Sequence, residues 1–286
     1  MFSEKQFINI KGKLMDFEDP RLMGILNVTP DSFYDGGLYT TPKAIEKRVK
    51  KIINEGADII DAGGMSTRPG AEIISSKKEW ERLEPALSVI RDISSDIPVS
   101  VDTFRTEIAQ KAVNKYDAGI INDISGGSMD PEMFDFVAEK QIPYIMMHMQ
   151  GTPADMQKNP VYTDFPGDIL EFFHKQIAIL REKHLHDIII DPGFGFGKNL
   201  YHNYALLNYL HRFNIFDCPL LTGISRKSMI TKYLEIPDSE SLPATSVLHS
   251  LAILKGANIL RVHDVSTAKQ VINLIKKTKN SINDNW

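Results

Sequence analysis

Residues 97–123 read IPVSVDTFRTEIAQKAVNKYDAGIIND. An apolar run over 97–101 stops at Asp102, a helix-length segment over 105–115 follows, and a second run over 118–121 stops at Asn122 and Asp123. Short runs that are apolar on both faces and spaced by a helix are how parallel strands read when crossover helices bury them. The pattern repeats outward in both directions. Run 22–26 ends at Asn27, 57–60 at Asp61, 142–147 at His148, and 188–190 at Asp191. Run 220–224 ends at Ser225, Arg226 and Lys227, and 258–262 at His263 and Asp264. Eight such units predict an α/β fold, a (β/α)8 TIM barrel, whose active sites lie at the carboxyl ends of the strands. Asn27, Asp61, Asp102, Asn122, Asp191, Lys227 and His263 are therefore expected around one mouth.

The 286 residues are expected to form one domain, with 1–20 as an N-terminal β-hairpin and 21–282 as the barrel. The alternation over 7–14 reads as the hairpin, turning near Lys11 and Gly12 and plugging the lower end of the barrel. Helices are expected at 42–55, 77–94, 105–115, 130–140, 166–184, 200–213, 244–255 and 266–279. Their starts are marked by Thr41 before Pro42, by Asp130 before Pro131, and by a capping box over 76–79. Gly56 and Gly256 sit where helices should stop.

A composition of 42% hydrophobic and 24% charged residues supplies a large core. The net charge of −4 argues against a nucleic-acid or membrane surface, which needs a basic face. The single cysteine, Cys218, excludes an intrachain disulfide framework and fits a cytoplasmic location. No stretch reaches the ~18 apolar residues of a membrane span.

Four segments carry candidate chemistry. Residues 27–37 leave the first strand with Asn27, Asp31, Asp35 and several hydroxyls, an oxygen-rich set that suits Mg²⁺ bound partly through substrate phosphate. Residues 61–70 present Thr67 and Arg68 on a small-residue turn; the arginine fork suits a phosphate or carboxylate, or else a surface ion pair. Asp102, Asn122 and Asp191 together match a heterocycle edge bearing adjacent amino and ring N–H groups. The loop over 191–198 alternates glycine with Phe194 and Phe196, which suggests close backbone approach to a flat ligand. Residues 225–228 open a helical stretch whose N–H groups and cations suit an anion, while Lys227 as a Schiff-base lysine is the competing reading. Arg261 and His263 share one side of the last strand, the arginine placed to stack on a ring and the histidine to face an anion. His148 is read as pocket lining.

The segments MGILNVTPDSFYDGG (23–37), GGMSTRPGAE (63–72), VDTFR (101–105), INDISGG (121–127), DPGFGFGK (191–198), SRKS (225–228) and RVHDV (261–265) resemble the dihydropteroate synthase family over nearly the whole chain. The resemblance implies a pterin-binding barrel, a homodimer, that joins 6-hydroxymethyl-7,8-dihydropterin pyrophosphate to p-aminobenzoate and releases pyrophosphate. It implies Asn27 as the Mg²⁺-linked asparagine, with Asp35 a second contributor. Asn27, Thr67, Arg68 and His263 match the pyrophosphate side, and Asp102, Asn122, Asp191, Lys227 and Arg261 the pterin. Phe33, Thr67, Pro69, Phe196 and Ser228 match the p-aminobenzoate wall that sulfonamides also occupy. Asp102, Lys227 and Asp35 are the catalytic candidates. Met65 stands where the family commonly has glutamate, and Ile224 where threonine is common.

Three other readings remain. A methyltetrahydrofolate:corrinoid methyltransferase uses the same pterin-binding barrel without a pyrophosphate site. A lysine-dependent aldolase would centre on Lys227. A non-catalytic pterin-binding homologue would bind without turnover.

Overall fold

A computed structural model describes residues 7–29, 41–68 and 70–281. These contain ten strands and nine α-helices. Strands β1 (Phe7–Ile10) and β2 (Lys13–Asp16) form an antiparallel hairpin. The positive φ of both Lys11 and Gly12, 53° and 81°, supplies the turn geometry that matches strand twist.

The remaining strands alternate with helices. In chain order they are β3 (Arg21–Asn27), α1 (Pro42–Asn54), β4 (Ile59–Gly63), α2 (Ser76–Ile93), β5 (Val99–Asp102), α3 (Thr106–Tyr116), β6 (Ile120–Asp123) and α4 (Met133–Lys140). Then come β7 (Tyr144–Met147), α5 (Gly167–Glu182), β8 (Ile188–Asp191), α6 (Leu200–Asn208), β9 (Leu221–Thr222), α7 (Ser228–Leu234), α8 (Leu242–Leu254), β10 (Ile259–Val262) and α9 (Val265–Asn280). The eight parallel strands pair in the order β8-β7-β6-β5-β4-β3-β10-β9. A bridge between Ile190 and Leu220, with Ile190 N donating to Pro219 O at 3.0 Å, closes the ring. This is the expected TIM barrel.

Strand alternation decides what lies inside. Met23, Ile59, Ile120, Ile145, Ile189, Leu221 and Ile259 form one apolar cluster with Ile8, Ile10 and Phe17 of the hairpin segment. The hairpin therefore plugs the lower end, as expected. Two residues further along the same strands stand Ile25, Asp61, Asn122, Met147, Asp191, Gly223 and Arg261, with Asp102 arriving two after Ser100 on β5. Because side chains alternate with period two, these occupy the next layer up on the same face. An oily floor thus gives way to an ionic layer within one repeat. The outer faces pack against the helices in a larger core that includes Leu22, Leu26, Ile60, Val101, Ile121, Ile188 and Cys218.

Several local expectations are corrected. Thr41 caps α1, its side chain accepting from Ala44 N, as read. Helix α2 is instead capped by Ser75, which accepts from Lys78 N, because the Glu79 carboxylate is drawn inward to Thr103 and Arg105. Asp130 does not start α4. Its Oδ2 accepts from Thr106 N at 2.7 Å, capping α3, while its Oδ1 accepts from Glu132 N. The helical stretch read as opening at 225–228 is the short α7, and the next expected helix follows as α8. No described helix is long and apolar enough to cross a membrane.

Candidate active site

The carboxyl ends of the strands enclose two adjoining cavities. The outer one, about 400 Å³, is lined by Asn27, Thr67, Arg68, Phe196, Ser225, Lys227, Ser228, Arg261 and His263 among others. The inner recess, about 20 Å³, is lined by Asp102, Asn122, Asp191, Met147, Phe194 and again Thr67, Phe196, Lys227 and Arg261. Every residue matched to the pterin, pyrophosphate or p-aminobenzoate side that falls within the described residues is brought to this mouth, whereas His148 is not. Phe33, Asp35 and Pro69 lie outside the described residues. A cavity of similar size at the opposite end carries Lys11, Lys13 and Arg21, but these pair with Asp117, Asp96 and Asp16 respectively. That end offers no comparable convergence of strand-borne side chains.

The centre of the recess is a buried ionic triad. Arg261 Nε donates to Asp61 Oδ2 at 2.6 Å, and Arg261 Nη2 donates to Asp102 Oδ2 at 2.7 Å. Asn122 Nδ2 also donates to Asp61 Oδ2, at 3.2 Å. Burial alone would lower the guanidinium's pKa, but Asp61 and Asp102 outweigh it and raise it. Burial pushes Asp102 up, Arg261 pulls it back, and Asp61 pushes it up again. Asp102 Oδ1 is buried and has no hydrogen-bond partner among the described residues. One carboxylate oxygen therefore fixes the arginine while the other stays available to a ligand, a costly arrangement unless a donor arrives. Asp61 was expected at the mouth but was given no role; it is the arginine's anchor.

Asp191 enters from β8. Its Oδ1 accepts from Gly193 N at 2.8 Å, and burial raises its pKa against that hydrogen bond and the nearby Lys227. Lys227 caps the short α7, and its Nζ sits 4.3 Å from the centroid of the Phe196 ring. Burial lowers it to about 8, with Asp191 opposing. Arg226 holds this turn from behind by a two-pronged bond to Asp264, at 2.6 and 2.8 Å. The same aspartate follows His263, so β9 and β10 present their ligands in one frame. Arg48 of α1 reinforces it by donating to Ile25 O and His263 O. Burial first, then Arg261 and Arg48, push His263 down to about 3, so its imidazole is neutral at physiological pH.

The loop after β4 (loop two, 62–75) is anchored at both ends by Arg105. Its guanidinium pairs with buried Glu79, donates to Ile74 O at 2.5 Å and lies 4.0 Å from Met65 Sδ. Glu79 also accepts from Thr103 Oγ1 at 2.7 Å. Arg105 thus takes its carboxylate from α2, with Met65 beside it. Ile224 is fully buried in the outer core and lines neither cavity.

Two readings need correction around the loops that follow β7 (loop five, 149–163) and β8 (loop six, 192–198). His148 does not line the pocket; its Nδ1 lies 3.0 Å from Lys198 Nζ in the interior. The glycine alternation over 193–197 serves mainly contact between loops. A Cβ on Gly193 would fall 2.0 Å from His148 O, and one on Gly197 would fall 2.5 Å from Gln150 O. Only Gly195 faces the cavity, with Lys227 Nζ 3.6 Å from where its Cβ would be.

A Mg²⁺ site needs oxygen ligands. Among the described residues no three or more His, Cys, Asp or Glu side chains could hold a metal by themselves. Asn27 Oδ1 does reach the cavity wall beside Asp102: a Cβ on Gly63 would lie 3.3 Å from the first and 3.6 Å from Asp102 Oδ2. This donor set fits an ion held mainly by phosphate oxygens and water, with one or two protein oxygens.

Comparison with known proteins agrees with this geometry. The pterin binding enzyme family matches residues 23–263. The chain is 42% identical over 274 residues to the dihydropteroate synthase of Escherichia coli K12, covering 94% of this chain and 95% of that protein. A Yersinia pestis dihydropteroate synthase, solved as a sulfonamide drug complex, superposes with a TM-score of 0.91 at 36% identity, covering 96% and 99% of the two chains. The Xanthomonas albilineans dihydropteroate synthase in complex with 7,8-dihydropteroate superposes with a TM-score of 0.82 at 32% identity, covering 96% and 98%. The chain belongs to the pterin binding enzymes, within the dihydropteroate synthase family.

Proposed function

We infer that this chain is a dihydropteroate synthase, a transferase that condenses 6-hydroxymethyl-7,8-dihydropterin pyrophosphate with p-aminobenzoate. The observation that carries this reading is the joining of two unlike compartments. A recess with Asp102, Asn122 and Asp191 suits the donor-rich edge of a pterin, and it opens into a cavity bearing Arg68, Lys227 and His263.

In the proposed mechanism the pterin lies in the recess against Asp102, Asn122, Asp191 and Lys227, with Arg261 over its ring. Asn27 and Asp35 would hold Mg²⁺, which when bound supplies a Lewis acid for the diphosphate oxygens. Thr67, Arg68 and neutral His263 donate to the same leaving group. The bond between the pterin methylene carbon and the bridging oxygen breaks first, in an SN1-like step, and pyrophosphate departs with the electron pair. Asp102 offsets the positive charge left on the pterin, a preorganised electrostatic contribution. The amine of p-aminobenzoate, lodged among Phe33, Pro69, Phe196 and Ser228, attacks the methylene and loses its proton to solvent or pyrophosphate.

We place the enzyme in the cytoplasm and as a homodimer. Exposed Val247, Leu251 and Leu254 follow i, i+4, i+7 on α8, and exposed Tyr233 and Leu234 lie on α7, an apolar surface suited to a second copy. The decisive assay mixes the protein with Mg²⁺ and both substrates. Dihydropteroate and pyrophosphate should appear together. Pterin binding without product would indicate a non-catalytic homologue, and methyl transfer without pyrophosphate release the corrinoid-linked reading. The lowered pKa of Lys227 also suits a Schiff-base lysine; borohydride should nevertheless fail to trap a carbonyl substrate on it.

A further inference from the structure

Loop six ends on a lysine that the reaction does not use. Lys198 is 2% exposed, although lysines are almost never fully buried without a partner charge. Its Nζ meets His148 Nδ1 at 3.0 Å, Phe196 O at 3.0 Å and His148 O at 3.4 Å. Three uncharged acceptors thus match the three donors of an ammonium. Burial lowers Lys198 to about 7 while nearby Asp191 supports its charged form, and in that form it donates to a neutral His148 that carries its proton on Nε2. Burial and the adjacent Lys198 hold His148 well below its ordinary value, which agrees.

The position of this lysine is what gives it meaning. One face of loop six is pressed onto loop five, through Gly193 against His148 O and Gly197 against Gln150 O. Tyr162 Oη donates to Gly197 O at 2.7 Å and Gln157 Nε2 donates to Gly195 O. Asn203 of α6 closes the back, accepting from Gly195 N and donating to Lys198 O. The opposite face presents the Phe196 ring to both cavities. Lys198 grips the carbonyl of the very residue whose ring forms that wall. In the recess below, loop six supplies Phe194 and one edge of Phe196 and holds Asp191 through Gly193 N, while Asp102 and Asn122 stand on β5 and β6 and keep their places without it.

We propose that Lys198 is a positioning residue for the amine substrate: held by His148, it fixes the Phe196 main chain and so the ring against which p-aminobenzoate packs. This rests on the synthase reading and extends it to a residue that touches neither substrate. Lys198→Met keeps the length of the side chain and removes all three donors. It should raise KM for p-aminobenzoate about tenfold with kcat within about threefold, the signature of lost uniform binding. The Kd for the pterin pyrophosphate, measured by calorimetry, should stay within about threefold. His148→Asn retains an acceptor near the Nδ1 position and should behave as wild type, whereas His148→Leu should reproduce Lys198→Met. That pair carries the test if Lys198→Met does not fold.

An unchanged KM for p-aminobenzoate in folded Lys198→Met would overturn the proposal. So would a parallel loss of pterin affinity, or a His148→Asn as impaired as His148→Leu. If the wild type itself makes no dihydropteroate, it is the synthase reading that fails. The hold on Phe196 is then read from amide exchange over 195–198, faster in Lys198→Met and His148→Leu but not in His148→Asn; equal rates in all four proteins would reject it.

Discussion

Ile59, Ile120, Ile189 and Ile259 on the barrel floor and Asp61, Asn122, Asp191 and Arg261 above them are four pairs, each separated by one strand alternation. The lower members gain stability from the removal of apolar surface from water, about 1.5–3 kcal/mol for each fully buried side chain. The upper members lose hydration and recover it only in part, through one another, Asp102 and the Gly193 N–H, so their net contribution is small or unfavourable. Adjacent layers of one barrel thus divide the labour: the floor stabilises the fold, and the mouth holds charge in readiness for a ligand.

The comparison breaks most completely at Arg261. Arg261→Met strands Asp61 and Asp102 as buried carboxylates and is expected to cost about 3–5 kcal/mol in urea unfolding, with activity abolished. Adding Asp61→Leu should recover part of the stability and none of the activity. A floor substitution separates the two properties the other way. Ile145→Ala should cost about 2–5 kcal/mol in the same measurement, yet leave kcat of the folded fraction near that of wild type.

Asp102→Asn tests the charge itself. Pyrophosphate release should slow about 100-fold while the pterin Kd changes far less; equal losses in both would contradict its role in charge stabilisation. Glu79→Gln sharpens the picture at loop two. Weakening the hold on Arg105 should cost about 1–3 kcal/mol and raise KM for the pterin pyrophosphate severalfold, with the rise exceeding any fall in kcat.

The smallest expected effect is on the pH dependence of stability. His249 is buried on α8, its Nε2 has no partner among the described residues, and burial lowers it to about 4. Between the folded value and the unfolded value of about 6.5, the unfolded imidazole binds a proton that the folded one refuses. Stability is therefore fully present above that window and falls as the pH drops through it. Melting temperatures of His249→Gln from pH 4.5 to 6.5 should show a shallower slope than wild type; an identical slope would place the dependence elsewhere.

The barrel was legible in the sequence because parallel strands buried on both faces leave continuous apolar runs, and because each run ends where a polar side chain is wanted. Asn27, Asp61, Asp102, Asn122, Asp191, Lys227 and His263 follow from that rule, and Arg261 from its place two residues before His263 on the same strand face. Pairings across the barrel were not legible. Asp61 and Arg261 are 200 positions apart, and nothing local says that one anchors the other. The spacing of Glu79 from Ser76 allows a capping box, but its buried carboxylate goes to the partly buried Arg105 instead. Nothing in the sequence around Lys198 marks it as buried, because its acceptors come from His148, fifty positions earlier, and from a main-chain carbonyl. The glycines of loop six signalled close backbone approach correctly, but the approaching partner is another loop rather than a ligand. The helical stretch opening at 225–228 was legible, but not that it would end after seven residues.

The ring of strands is completed at its narrowest join, where two-residue β9 meets β8 through Ile190 and Leu220. Asp191 stands on one side of this seam and Lys227 on the other. A pterin grasped by both would act as a rivet across it. Occupancy of the recess is then a mechanical event as well as a chemical one, tightening the barrel where its own backbone grips least.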